Sequence, residues 1–75
     1  MITPGQLLRS KRSEAGLSLR AVAENGAGSY GYLLELENDK KCPSLRTLYK
    51  IAKAIGCETV DLIPPEEDLK IFFAS

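Results

Sequence analysis

Hydroxyl side chains stand at the five points of this 75-residue sequence where a helix has a reason to begin. Thr3, Ser18, Ser29 and Ser44 each precede a stretch whose apolar positions recur every three or four residues, and Thr59 opens a fifth. An oxygen in that place accepts a hydrogen bond from a backbone N–H that the first helical turn leaves without a partner, so these residues fix helix starts. Pro4, at a first helical position where its missing N–H is not needed, and Gly16, at a helix-ending position with Leu17 folding back behind it, predict a first helix from about Pro4 to Ala15. Ser18 caps a second helix, Leu19 to Glu24, with Leu19, Val22 and Ala23 as its apolar stripe. The run Asn25-Gly26-Ala27-Gly28 breaks it, because glycine supplies the positive φ angles of a tight interhelical turn.

Ser29 begins a third helix, Tyr30 to Glu37, with Leu33 and Leu36 pointing inward; Gly31 weakens it by about 1 kcal/mol relative to alanine. Asn38 to Pro43 is a polar loop carrying the adjacent pair Lys40 and Lys41. The fourth helix has the clearest periodicity, with Leu45, Leu48, Ile51, Ala52 and Ile55 on one face, Arg46, Lys50 and Lys53 elsewhere, and Gly56 as its end. Thr59 starts a short fifth helix through Ile63, which Pro64-Pro65 interrupts. No segment alternates with the two-residue period of a strand, and there is no repeat or low-complexity stretch, so the expected class is all-α.

Composition narrows the chemistry. The sequence has no histidine, which removes Ser-His-Asp and Cys-His catalysis and the usual zinc ligand sets, and its two cysteines, Cys42 and Cys57, lie in no CxxC spacing. No metal, cofactor, small-molecule substrate or enzymatic activity is expected, and the cysteines read as reduced, incidental thiols. Ten basic and ten acidic side chains cancel, which argues against an indiscriminate polyanion binder and leaves room for a local basic patch. No apolar run approaches the roughly 20 residues of a membrane span, and Met1-Ile2-Thr3-Pro4 lacks the character of a secretory leader, so a cytoplasmic location away from any membrane is expected.

Two short helices joined by a glycine-containing turn can project the second into a DNA major groove, although such hairpins also occur in helical bundles without that role. Arg12, Gly16-Leu17-Ser18, Val22-Ala23-Glu24, Leu36-Glu37, Lys40, Pro43-Ser44-Leu45, Leu48 and Ile51 to Gly56 occur in ungapped order. In these residues the chain resembles the Cro/C1-type helix-turn-helix family, also described as xenobiotic-response-element-like regulators. The resemblance covers roughly Gly5 to Ile63 and implies a compact five-helix, lambda-repressor-like DNA-binding domain over residues 1–63, with the motif at about 18–37 and a short extension, 64–75, expected to have helical character. It further implies a transcriptional regulator, usually a repressor, acting as a homodimer on a pseudo-palindromic double-stranded operator. By the same resemblance Arg12 and Glu37 form a structural pair.

The expected DNA contacts are Ser18, Leu19, Arg20, Ser29, Tyr30, Gly31, Tyr32, Glu35, Asn38, Lys40 and Lys41. Within that set Tyr30, Gly31, Tyr32 and Glu35 stand at the base-reading positions of helix 3, where the family ordinarily places Gln, Arg, Lys or Ser. Tyrosine can donate its hydroxyl to a phosphate or lay its ring on a thymine methyl, and Glu35 can accept from a cytosine amino group. Leu19 takes a place often held by a phosphate-binding glutamine. Its helix N-terminus still offers backbone N–H groups. Gly26 and Ala27 stand where the family turn has an apolar residue and then a glycine. Arg9 and Lys11 are further cations available to phosphate. Leu69, Ile71, Phe72 and Phe73 cannot share one helical face, which makes the extension a candidate dimer contact; packing of Leu69 and Phe72 onto helix 5 is the alternative. Neutral charge, the Tyr30-Gly31-Tyr32 surface and Glu35 also fit a second reading, an antirepressor-like or antitoxin-like module that binds a protein partner.

Overall fold

The computed structural model describes residues 2–68. Helix α1 runs Pro4–Glu14, α2 Leu19–Val22, α3 Tyr30–Glu37 and α4 Leu45–Ile55. A wider π turn, Ala23–Ala27, continues α2, and the expected short fifth helix is a 3₁₀ turn, Thr59–Leu62. There is no strand among the described residues.

Each α-helix starts at the expected hydroxyl. Thr3, Ser18, Ser29 and Ser44 accept from the backbone N–H groups of Gln6, Ala21, Tyr32 and Thr47. At Thr3 the cap is reciprocal, because the Gln6 side chain accepts from the Thr3 N–H at 3.1 Å. Helix α1 stops at Gly16 with the Leu17 N–H bonded back to the Arg12 carbonyl and the Gly16 N–H to that of Ser13, which satisfies two of the carbonyls that a helix end orphans. The turn between α2 and α3 bends at Gly26 (φ 99°) and Gly28 (φ 130°), while Ala27 between them is buried, so the turn keeps an apolar anchor one residue beyond the family position.

Leu8 of α1, Val22 of α2, Leu33 and Leu36 of α3, Ile51 of α4 and Leu62 of the 3₁₀ turn are fully buried and form one core, with Leu48 and Ala52 closing it. Leu17, Leu19 and Tyr32 pack against its rim. The expected face of α4 needs one correction. Leu48, Ile51, Ala52 and Ile55 are inside, but Leu45 is 67% exposed. It occupies the first helical position, ahead of the turn at which α4 meets the rest of the molecule.

Helix α3 ends in the same double-bonded pattern as α1, with the Lys40 N–H on the Glu35 carbonyl and the Asp39 N–H on that of Leu36. Here the left-handed residue is Asp39 (φ 56°), the only non-glycine with positive φ among the described residues. Its carboxylate bridges to the start of α1: Oδ2 accepts from the Thr3 hydroxyl at 2.6 Å and Oδ1 from the Gly5 N–H at 3.1 Å. The two segments come so close that a Cβ on Gly5 would lie 2.5 Å from the Leu36 carbonyl oxygen and 2.7 Å from that of Glu37. Sequence reasoning assigned no role to Asp39 or to this use of Gly5. The expected dimer contact at 69–73 lies outside the described residues.

Because two of the three nearest neighbours of Gly5 are backbone oxygens that cannot swing aside, Gly5→Ala is expected to lower stability by about 1–3 kcal/mol despite alanine's better helix propensity. Urea and thermal unfolding check this, with a melting temperature lowered by roughly 4–8 °C per kcal/mol for a domain of this size. An unchanged midpoint would show that α1 and α3 separate at no cost.

Candidate nucleic-acid interface

The candidate interface is built on α2, the turn and α3, and its orientation is set from behind. Glu37, in the last turn of α3, has a side chain only 1% exposed. A carboxylate there is opposed by burial and by the negative end of the helix dipole. Two guanidinium groups of α1 compensate. Arg12 donates to both Glu37 oxygens through Nε and Nη2, the latter at 3.1 Å, and Arg9 Nε lies 3.2 Å from Oε1. The third Arg12 arm, Nη1, donates to the Leu17 carbonyl at 2.9 Å and so ties in the start of the helix-turn-helix segment. The bonds to Glu37 push the Arg12 guanidinium above its ordinary pKa against the opposing effect of burial. The pair that the resemblance implies is therefore present, and it is a triad.

On the outward side, Tyr30 and Leu34 are 41% and 38% exposed. Gly31 is exposed too, and a Cβ there would meet nothing within 4 Å. With the half-exposed Glu35 these residues form the outer surface of α3. Leu34 was not among the expected contacts, since in a Leu33-Leu34 pair either residue reads as core. The signal was phase: with Leu33 and Leu36 inside, Leu34 falls about 100° away from the first of them.

Tyr32 differs from the expectation. It is half-buried with its ring against the core, so Tyr30 is the more exposed tyrosine. Each ring carries a cation. The Arg20 guanidinium sits 4.8 Å from the Tyr30 centroid, and Lys41 Nζ sits 5.6 Å from that of Tyr32. Lys41 also lies 3.4 Å from Glu35 Oε2, so this carboxylate has a countercharge on the surface where an unpaired one would be repelled by phosphate.

Ser18 and Ser29 are exposed, and although their oxygens serve as caps, each hydroxyl keeps its proton for an outside acceptor. The Leu19 side chain packs on the core, which leaves the backbone N–H as what this position offers. Asn38 accepts from Arg9 Nη2 at 3.2 Å, and its amide N–H₂ remains a donor. Lys40 is exposed. Arg9 and Lys11, considered above as phosphate partners, are engaged inside the molecule: Arg9 with Glu37 and Asn38, Lys11 with Glu14 at 3.4 Å. Burial raises the pKa of both the Cys42 and Cys57 thiols, the latter helped by Asp61, which holds them protonated near neutral pH. Among the described residues no group of three His, Cys, Asp or Glu side chains is arranged to hold a metal ion, and no helix is long and apolar enough to cross a membrane.

The helix-turn-helix family model matches residues 8–62, from the core leucine of α1 to that of the 3₁₀ turn. An uncharacterised HTH-type transcriptional regulator, y4dJ, of Sinorhizobium fredii is 35% identical over 57 residues, covering 76% of this chain and 74% of that protein. The immunity repressor protein of Bacillus phage phi105 is 33% identical over 69 residues, 92% of this chain and 48% of the relative. The HTH-type transcriptional regulator DdrOP3 of Deinococcus deserti is 39% identical over 56 residues, 75% of this chain and 43% of the relative. The chain thus spans under half the length of the last two.

If Lys41 shields Glu35, their effects on duplex binding are coupled. Lys41→Ala is expected to weaken binding about fivefold and reduce the salt slope by roughly one phosphate contact. The same substitution in a Glu35→Gln background is expected to cost markedly less, because no bare carboxylate is left behind. Fluorescence anisotropy of all four chains at two salt concentrations measures the cycle. Strict additivity would mean that the pair does not act together.

Proposed function

We propose that this chain, which belongs to the Cro/C1-type helix-turn-helix family, is a sequence-specific transcriptional regulator that acts as a repressor by laying α3 in the major groove of an operator. The carrying observation is the placement of α3. Its inner face and C-terminal end are fixed to α1 through Leu33, Leu36, Glu37 and Asp39, while Tyr30, Gly31, Leu34 and Glu35 stand outward with Arg20 and Lys41 gathered beside them.

In the groove, Gly31 permits close approach of the helix backbone. Leu34 and the Tyr30 ring are apolar surfaces suited to thymine methyl groups, and Glu35 accepts from a cytosine amino group. Ser18, Ser29, the Leu19 N–H, Asn38 and Lys40 form the phosphate-contacting rim around that face, and Arg20 and Lys41 add charge at its centre. This division is how a chain with no net charge can still meet a polyanion: Arg20, Lys40 and Lys41 stand beside the face, and Glu35 is neutralised locally.

Two copies on a pseudo-palindromic site double the number of bases read, with half-sites separated by about one helical turn, roughly 10 base pairs centre to centre. A regulator of this kind works in the cytoplasm of a bacterium, on chromosomal or phage DNA.

Selection from a randomised duplex pool, followed by sequencing of the bound fraction, tests the reading. The expected outcome is a two-fold-symmetric site bound with a salt-sensitive dissociation constant well below the roughly 10⁻⁴–10⁻⁶ M of non-specific association. A pool that stays unenriched, with binding confined to that range, would contradict operator recognition and turn the α3 surface over to a protein partner.

A further inference from the structure

The outer surface of α3 leaves one kind of base edge without a reader. Tyr30, Gly31, Leu34 and Glu35 include no arginine, lysine, asparagine or glutamine, the side chains that pair two-fold with guanine or adenine in the major groove. Lys41 follows the C-terminal end of the helix, and its ammonium group is already 3.4 Å from Glu35 Oε2. A face of this composition reads methyl groups and cytosine, and any purine readout comes from a neighbouring element.

Arg20 stands where such an element meets the helix. It is exposed at the second position of α2, and its guanidinium carbon lies 4.8 Å from the ring centroid of Tyr30, the first residue of α3. The ion pairs among the described residues take up Arg9, Lys11, Arg12 and Lys41, and Arg20 enters none of them. Arg12 shows the contrast, since Glu37 and the Leu17 carbonyl consume its fork. The Tyr30 ring attracts the Arg20 group through its π face, which restrains a long side chain while its N–H donors stay available. The N-terminal residues of the second helix are also the part of a helix-turn-helix that reaches base edges.

We propose that Arg20 is a base-reading residue, supplied by α2, that donates to O6 and N7 of a guanine, with Tyr30 as the residue that positions it. The pairing uses the planar fork of arginine and the pair of acceptors that only guanine presents in the major groove. Tyr30 then acts partly through Arg20, which accounts for an aromatic ring at the first position of a helix facing a polar groove. The inference rests on the reading of α3 as the groove-binding helix, and it adds a purine to the bases that α3 reads on its own. Each half-site therefore carries a guanine beside the bases met by α3.

Selection from a randomised duplex pool with the unsubstituted chain and with Arg20→Ala, followed by anisotropy on the selected duplex, tests it. The unsubstituted chain is expected to enrich one guanine in each half-site. Arg20→Ala is expected to weaken binding to that site at least about tenfold and to flatten the preference at that position alone. Placing 7-deazaguanine there, which lacks the N7 acceptor, is expected to weaken the unsubstituted chain about fivefold and Arg20→Ala scarcely at all. Tyr30→Phe, which keeps the ring, is expected to hold the guanine preference and Tyr30→Ala to reduce it, with circular dichroism unchanged in every variant. Equal loss in both Tyr30 variants would refute the positioning role of the ring. A uniform loss across all sequences in Arg20→Ala, with a salt slope lower by roughly one contact, would make Arg20 a phosphate contact and overturn the proposal. So would a guanine preference that survives Arg20→Ala, or a selected half-site without guanine, and either leaves operator recognition standing. A pool that stays unenriched with the unsubstituted chain counts instead against the α3 reading itself and takes this inference with it.

Discussion

A carboxylate buried at the wrong end of a helix organises this molecule. Glu37 sits where the α3 carbonyls point and where water is excluded, so on its own it would destabilise the fold by several kcal/mol. Arg9 and Arg12 supply the missing field, and because guanidinium geometry admits few arrangements on one carboxylate, they fix the angle between α1 and α3 as well as the distance. Asp39, two residues on, repeats the device with neutral donors at the start of α1. Gly5, Leu8, Arg9 and Arg12 follow the i, i+3, i+4, i+7 spacing of one helical face, so the side of α1 that meets α3 is partly apolar packing and partly a row of polar ties. Polar ties are directional, and a helix that has to present particular atoms to a groove gains from direction more than from area.

The outer surface follows from the same economy of charge. A face meant for phosphate is normally basic, yet this chain has as many acids as bases. The conflict is resolved locally. Arg20 and Lys41 fold over Tyr30 and Tyr32, which holds two long side chains near α3 at a lower entropy cost than free cations would carry, and Lys41 reaches on to Glu35. Glu58 and Asp61 belong to a different part of the molecule, in the cap and body of the 3₁₀ turn. Neutral overall charge therefore conceals a sorted surface.

What was legible in the sequence had a local signature. The capping hydroxyls at 3, 18, 29 and 44 gave the helix starts, the stop at Gly16 and the extent of α3 followed, and Leu33 and Leu36 were inside because their spacing fixes a face. What was hidden joins distant segments. Asp39 reads as an ordinary loop residue, and only the approach of α1 from 34 residues away gives its carboxylate donors. Gly5 reads as a weak helix former until the Leu36 carbonyl is found against it. Leu45 fits the α4 stripe by period, but a first-turn residue is buried only if another element covers that end. Glu35 and Lys41 are six residues apart across a helix end, a separation for which no periodic rule pairs them. The short fifth helix stands where its sequence puts it and takes the 3₁₀ form, because the five residues between Glu58 and Pro64 leave no room for a longer α-helix.

At the centre stands the claim that the α3 face, held from behind by Glu37 and Asp39, is the surface that meets DNA. Backbone amide chemical shifts followed by NMR during titration with a selected duplex test it most directly. The account predicts the largest changes at Ser18 to Arg20, Ser29 to Glu35 and Asn38 to Lys41, with the α1 amides facing Glu37 nearly still. Largest changes around Leu45, Tyr49 and Val60, with α3 unmoved, would contradict it.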